Sequence, residues 1–286
     1  MESKAQRYRT RLAPTPSGFL HLGHAATFLF THKRCLEKKG VLIYRLEDID
    51  RERTREEYIK SCEEDLSWLG ISWHEGGVEP GGYGPYVQSE NLTAYQKMWN
   101  ALFEKGYLYP SPQSRKEIQA LDLNKGFDGE LVFPATLRDI DSNQFQRDQV
   151  NWRFKVPEGK VIRFYDQNLG KISFETGKDF GDFLVWRRNG WPSYELAVVH
   201  DDIQMKITEV IRGEDLLLST ARQILLYEAL ELTPPDWLHL PLLRNSEGEK
   251  LSKSKDSRSL KSMREEGVKV NEMIQLSEKH LEKVSI

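Results

Sequence analysis

Cysteine is nearly absent from this chain of 286 residues: only Cys35 and Cys62 occur. Both lie in stretches with helical periodicity, which excludes a disulfide framework and suggests reduced thiols in a core. No apolar run approaches the roughly 18 residues that a membrane span requires, so no membrane partner is expected. The first residues, MESKAQRYRT, lack the hydrophobic stretch of a secretory signal. These absences point to the cytoplasm. No GxxxxGK[ST] loop occurs, which excludes the nucleotide-binding class built on it. Internal repeats and low-complexity tracts are missing as well. Charge of one sign is also lacking: 41 Lys and Arg against 44 Asp and Glu leave −3, short of the basic footprint usual in nucleic-acid binders. The basic groups are clustered, at Lys33 and Arg34, Lys38 and Lys39, Arg51, Arg53 and Arg55, and Arg187 and Arg188. Each cluster, read singly, suits a solvated face.

What is present describes a globular chain, with 38% apolar and 30% charged residues, long enough for one large domain or two modest ones. YRTRLA (8–13) reads as a strand. HAATFLFTHKRCLEKK carries apolar residues at Ala25, Phe28, Leu29, Cys35 and Leu36, a helical spacing, with Gly40 expected as the glycine just past its end. VLIYRLED (41–48) suits a strand buried on both faces. The three make a βαβ unit with a parallel sheet and right-handed crossover. A capping box at Thr54 and Glu57 is expected to open the helix TREEYIKSCEEDLSWLG, whose buried stripe is Tyr58, Cys62, Leu66 and Leu69, with Gly70 closing it. GGVEPGGYGP (76–85) is a loop, and NLTAYQKMWNALFEKG an amphipathic helix ending at a glycine.

Residues 108 to about 180 change character and suggest an irregular inserted α+β subdomain. YELAVV (194–199) then reads as a strand, HDDIQ as a polar turn, LLLSTARQILLYEAL as a helix and WLHLPLL (237–243) as a further strand. A charged loop, RNSEGEKLSKSKDS, leads to a helical tail.

The stretch APTPSGFLHLGHAAT (13–27) sits where strand turns to helix. In a βαβ unit ligands bind at the carboxyl ends of the strands, and anions favour the N-terminus of the following helix. Gly18 and Gly23 permit close approach there, and His21 and His24 can donate to phosphate oxygens. An isolated HxxH is better read as surface-turn histidines, or His24 as a polar helix start. Two further features join it: Glu47 and Asp48 at the end of the second strand, and Lys250, Lys253 and Lys255 in the loop EKLSKSK. A lysine loop alone is usually solvated. Together the three describe a nucleoside triphosphate held by imidazoles on one side and ammonium groups on the other.

This combination resembles the class I aminoacyl-tRNA synthetases. His21-Leu22-Gly23-His24 is similar to their HIGH signature and Lys250-Leu251-Ser252-Lys253-Ser254 to their KMSKS loop. RLAPTPSGFLHLGH, YRLEDIDRER, YGPYVQSE, YELAVVHDD and EVIRGEDLLLST narrow the resemblance to the glutamyl branch, over residues 8 to 256. Only 32 residues follow Ser254, so no anticodon-binding domain is expected, as in the glutamyl-Q tRNA(Asp) synthetases. That resemblance implies tRNA-independent activation of L-glutamate and its transfer to queuosine in tRNA(Asp). Val198 agrees, standing where discriminating glutamyl synthetases typically have asparagine. The implied fold is α/β, a Rossmann-like parallel sheet of class I synthetase type with an inserted α+β subdomain and a short helical C-terminal region. Its expected divisions are 8–107 and 181–245 for the two catalytic halves, 108–180 for an acceptor-binding-like insert, and 246–286 for the KLSKS loop and tail.

The resemblance also implies the site. His21, His24 and Lys253 would be catalytic; His21, Gly23, His24, Lys250 and Lys253 would bind ATP with its Mg²⁺. Arg11, Ala13, Thr15, Glu47, Tyr194 and Arg212 would bind glutamate, Glu47 pairing with the α-ammonium and Arg212 favouring glutamate over glutamine. Otherwise Arg212 is a surface ion pair and Tyr194 a core aromatic. The family's zinc ligands, two cysteines, a tyrosine and a third cysteine, correspond to Ser111, Gln113, Phe127 and Leu131 here. No structural zinc is expected, and the insert must hold together by packing, with Phe133, Trp152 and Phe154 as its core. A monomer is expected. Two rivals stand beside this reading: a glutamate-activating enzyme with another acceptor, and a non-catalytic binding paralogue.

Overall fold

In the computed structural model, which describes residues 7–121, 123–243, 258–282 and 284, the chain opens with β1 (Arg9–Leu12), α1 (Leu22–Glu37) and β2 (Val41–Tyr44). β1 and β2 pair in parallel, from Arg9 opposite Val41 to Leu12 opposite Tyr44. Both strands are buried throughout, which is why VLIY reads as an unbroken apolar run. Past α1 it is Lys39, with φ of 49°, that takes the left-handed conformation expected of Gly40. Gly40 serves packing instead: a Cβ there would lie 2.3 Å from the Tyr8 ring and 2.9 Å from the Tyr8 carbonyl oxygen.

α2 (Glu56–Trp68) starts without the expected capping box. Arg55 holds the N-cap position with no side-chain capping bond, and the Thr54 hydroxyl donates to the Asp50 carbonyl at 2.9 Å. The preceding turn also takes the Thr54 amide, at 3.0 Å from the same oxygen, so Thr54 is spent before the helix begins. Gly70, with φ of 73°, closes α2 as expected. Cys62, Leu66 and Leu69 pack with Leu12, Leu42 and Tyr44, joining helix to sheet, and Cys35 and Cys62 are buried free thiols.

α3 (Leu92–Glu104), β3 (Leu108–Ser111) and α4 (Arg115–Ala120) follow, then β4 (Asn151–Phe154), β5 (Val161–Asp166), β6 (Gly170–Glu175) and β7 (Phe183–Trp186). β3, β4 and β7 form one antiparallel sheet. The expected boundary at 180 therefore cuts this sheet, since β7 lies beyond it. Trp152 joins the layers by meeting Trp99 of α3 edge-on at 5.0 Å. Phe133, Trp152 and Phe154 are buried, as read from the sequence.

The hairpin β5–β6 leaves the insert. Its β5 reaches β9 (Asp236–Leu240) through a single parallel pair, Asp166 opposite Trp237. β9 in turn pairs in parallel with β8 (Glu209–Gly213) along its whole length. β8 lies beside β1, where the Thr208 amide donates to the Arg9 carbonyl at 2.9 Å and Arg11 Nη1 to the Ile211 carbonyl at 3.1 Å. β1 and β8 are neighbours without a shared hydrogen-bonded ladder. The side-by-side order is thus β2, β1, β8, β9, β5, β6: an α/β parallel layer extended by a hairpin.

Residues 194–199 are helical rather than a strand. They open α5 (Tyr194–Gln204), with the Ser193 hydroxyl accepting from the Leu196 amide at 3.4 Å, and HDDIQ continues it instead of turning. α5 packs against α3, β7 and α6 (Leu217–Ala229), and Glu195, Leu196, Ala197, Val198, Val199, Asp201 and Asp202 are all buried. A helix covered on so many sides keeps little of the apolar period that betrays helices in sequence. α7 (Leu260–Glu265) and α8 (Val270–Leu281) form the tail, and α8 packs on α1. No helix among the described residues is long and apolar enough to cross a membrane.

Candidate functional site

A cavity of about 570 Å³ opens at the carboxyl ends of β1, β2, β8 and β9. It is reached by Ala13, Pro14 and Thr15 after β1, Glu47 after β2, Arg212 and Gly213 ending β8, and Pro241, Leu242 and Leu243 after β9. This is where α/β sheets bind ligands. Of the described residues proposed from sequence, Arg11, Ala13, Thr15, His21, Gly23, His24, Glu47, Tyr194 and Arg212 all line this one space.

The imidazole pair sits at the N-terminus of α1, as the spacing implied. His21 is the N-cap, its Nδ1 accepting from the Gly23 amide at 3.1 Å, while Nδ1 of His24 accepts from the His21 amide at 3.2 Å. The ring centroids are 3.9 Å apart. A neutral imidazole that accepts at Nδ1 carries its proton on Nε2. Both rings are therefore fixed as Nε2 donors beside a positive helix end. Gly23 leaves the ring its place, because a Cβ would lie 3.0 Å from Cε1 and 3.1 Å from Nδ1 of His21 and press the ring to shift.

Beneath the cavity lies a buried charge cluster. Arg45 is fully buried and binds Glu47 at 2.9 Å and Asp202 at 2.6 Å, and Arg11 Nε stands 3.5 Å from Asp202. Two cations thus face two carboxylates, which is what burial of four charges requires. Burial still pushes the Glu47 carboxyl above the usual carboxylate range, against the opposing pull of Arg45 and Arg11. A cation placed in the cavity would favour its ionised form. Arg45 and Asp202 escaped the sequence reading. Asp202 follows Tyr194 and Val198 at four-residue steps, a helical signal lost once the segment is read as a strand and turn.

Arg212 is 5% exposed, which removes the surface ion-pair reading. Among the described residues no carboxylate lies within ion-pair distance of it. It donates to the Thr220 hydroxyl at 2.7 Å, to Nε2 of His239 at 3.3 Å, and at 3.4 Å to the Tyr194 hydroxyl and the Leu216 carbonyl. Its guanidinium also covers the Trp237 ring at 4.9 Å. All these direct partners are neutral; the buried carboxylate that feels the cation, Glu195, is engaged by Ser219, Gln223 and Arg222 instead of pairing with it. Tyr194, pushed up to about 12 chiefly by burial, is a neutral partner at any ordinary pH. Thr220 and His239 were not found from sequence, although a histidine inside the apolar run WLHLPLL was a signal.

Asp48 does not join the site; it accepts from the Ser89 amide at 2.7 Å. Val198 is fully buried on α5, one turn from Tyr194, and does not line the cavity. Lys250, Lys253 and Lys255 lie outside the described residues. The described chain on either side comes to the histidines: Leu243 lines the cavity, and Ser259 forms a β-bridge with His21.

The four positions matched to zinc ligands do not fit that metal. Ser111 Oγ donates to Gln113 Oε1 at 2.9 Å and accepts from the Arg153 guanidinium at 3.2 Å. Phe127 packs edge-on against Phe174 at 5.0 Å, and Leu131 is exposed. A cation already holds the one buried oxygen, and two of the four side chains offer no ligand atom. The neighbouring hub is Asp182, whose carboxylate accepts from Tyr109, from Arg138 twice and from the Val156 amide, at 2.5 to 2.8 Å.

Residues 7–278 match the family of class I tRNA synthetases (E and Q), catalytic domain. The glutamate–tRNA ligase of Carboxydothermus hydrogenoformans is 40% identical over 266 residues, covering 91% of this chain and 55% of that one. The glutamate–tRNA synthetase of Elizabethkingia anophelis superposes with a TM-score of 0.77 at 31% identity, covering 87% of this chain and 53% of its own. That of Elizabethkingia meningosepticum, solved with its amino acid, gives 0.75 at 31%, covering 87% and 52%. The chain spans about half the length of the curated relatives it matches.

Proposed function

The chain belongs to the class I tRNA synthetase (E and Q) catalytic-domain family, and from that membership we propose that it activates L-glutamate with ATP and passes it to an RNA acceptor. The observation that carries this reading is Arg212, a buried cation bordering the cavity with only neutral partners. A ligand carboxylate would complete it, whereas an amide would leave the charge unanswered. Glu47 would take the α-ammonium, the group that restores its ionised form. Ala13 and Thr15 would leave room for the amino acid beside Arg11.

ATP would enter as its Mg²⁺ complex. One oxygen of the glutamate α-carboxylate attacks the α-phosphorus. The new carboxyl–phosphate bond forms as the bond to the β-phosphate oxygen breaks, and pyrophosphate leaves with that electron pair. The two Nε2–H groups of His21 and His24 would donate to the phosphate oxygens as charge builds, and Gly23 would let the nucleotide approach the helix end. Lys250 and Lys253, on the segment between Leu243 and Ser259, would supply ammonium groups from the other side. No side-chain nucleophile is required; positioning and electrostatics carry the step.

We propose queuosine in tRNA(Asp) as the acceptor, the reading that the resemblance carried by Val198 supports. The sequence divisions stand in this proposal with one change, the insert running through β7. The chain would act as a cytoplasmic monomer, its buried thiols reduced. Incubating the protein with ATP, labelled glutamate and tRNA(Asp), with and without queuosine, tests the acceptor. Label should appear only on the modified tRNA. Equal labelling of both would support the rival with a different acceptor.

A further inference from the structure

Arg212 is held by a chain of side chains that ends in the inserted hairpin. Asp166, the last residue of β5, accepts at Oδ2 from both the backbone amide of His239, at 3.0 Å, and its ring Nδ1, at 2.7 Å. The other oxygen, Oδ1, takes the amides of Asn168 and Leu169 at 3.0 and 2.8 Å. These four contacts want an ionised acid. Burial pushes Asp166 up, but the bonds from His239 and the two amides outweigh it and hold it below the usual range. With Asp166 ionised, Nδ1 of His239 carries the ring proton and Nε2 is an acceptor. That acceptor faces the Arg212 Nε donor at 3.3 Å and lies 3.0 Å from the Thr220 hydroxyl, whose one proton it shares with the Leu216 carbonyl at 3.2 Å. His239 and Asp166 are both fully buried, so no water substitutes for these partners.

We propose that His239, oriented by Asp166, is a positioning residue for substrate recognition: its ring fixes the Arg212 guanidinium at the cavity wall while keeping the Asp166 carboxylate from neutralising it. A carboxylate in direct contact with Arg212 would orient it equally well. It would also satisfy the cation internally and remove the reason to bind an acidic ligand. The imidazole separates the two functions, donating to the acid on one side and accepting from the guanidinium on the other. The device also explains the lone β5–β9 pair. Asp166 stands opposite Trp237, the Gln167 amide donates to the Trp237 carbonyl at 2.8 Å, and Asn168 Nδ2 donates to the His239 carbonyl at 2.8 Å. The hairpin tip thus clamps the strand that carries the ring. Through it the insert takes part in the amino-acid site.

This inference rests on the glutamate reading of the cavity, and the test separates the two. Glutamate-dependent ATP–pyrophosphate exchange is followed at varied glutamate and at varied ATP, in the wild-type protein and in His239→Phe, His239→Gln and Asp166→Asn. Phenylalanine keeps the ring volume without the acceptor; glutamine returns an acceptor near the position of Nε2. The KM for glutamate should rise roughly tenfold in His239→Phe and less in Asp166→Asn, with the KM for ATP unchanged and His239→Gln moving back toward the wild-type value. Parallel changes in both KM values overturn the proposal, and so does a His239→Gln no better than His239→Phe. Should His239→Phe not fold, Asp166→Asn and His239→Gln decide on the same split between the two KM values. A wild-type protein that shows no glutamate-dependent exchange overturns the glutamate reading itself.

Discussion

His21 and His24 cap the same helix end, each ring using Nδ1 to take a backbone amide, at 3.1 and 3.2 Å. One contact therefore does two things: it terminates α1 and it turns both Nε2–H groups into fixed donors.

His24→Ala should separate these effects by size. Loss of the cap costs about 1 kcal/mol of stability, a modest drop in the unfolding temperature. Loss of a preorganised donor to developing phosphate charge should slow pyrophosphate exchange about a hundredfold. Thermal unfolding and the exchange rate, measured on the same preparation, check both. A rate loss no larger than the change in folded fraction would leave the ring a capping residue only.

Arg212→Gln keeps hydrogen bonding to Thr220 and His239 but removes the charge. The KM for glutamate should rise about a hundredfold through loss of the charge-assisted bond. Discrimination against glutamine should shrink with it. Exchange assays with each amino acid measure the ratio directly. A variant that still strongly prefers glutamate would place the selecting cation elsewhere.

The buried thiols give a pH prediction. Burial pushes Cys35 up to about 11 and Cys62 up to about 12, from an ordinary value of 9.0. A raised value in the folded state means that the protonated thiol is favoured there. Their contribution to stability is full below pH 9 and falls as pH climbs through the folded values. At pH 8 iodoacetamide should label neither cysteine quickly in the native protein and both in denaturant, as mass spectrometry would show. Rapid native labelling would contradict this packing.

In the insert, Asp182→Asn should cost about 3 kcal/mol, because Arg138 loses a buried ionised partner. Zinc should contribute nothing: EDTA should leave the unfolding temperature unchanged, and elemental analysis should find no stoichiometric zinc. A chelator-induced drop would show that ligands other than Ser111, Gln113, Phe127 and Leu131 hold a metal.

Much of this site is legible in the sequence because its signals are local. The β1–α1–β2 unit announces itself through VLIY, the glycines and HxxH within forty residues, and His21, His24 and Glu47 follow from it, whereas Arg11 came only with the family resemblance. What escapes is non-local or hidden by burial. Asp166 and His239 are 73 positions apart and meet only because a hairpin from the insert docks on β9. Arg45, fully buried beside Glu47 and Asp202, looks in sequence like any exposed arginine. The helix α5 is misread because valines and acids alike are buried on it, so no polar face marks its period. Gly40 and Thr54 show the limits of local rules: a neighbouring Lys39 bends instead, and a preceding turn claims the hydroxyl.

The central claim is that one cavity at the strand ends joins an amino acid to a nucleotide, with Arg212 choosing the acid and the His21–His24 pair answering the phosphates. ATP–pyrophosphate exchange by the purified protein, without tRNA, measures this most directly. The account predicts exchange that requires L-glutamate, is not supported by L-glutamine, and collapses in Arg212→Gln and His24→Ala. Absence of glutamate-dependent exchange, or equal exchange with both amino acids, would contradict it.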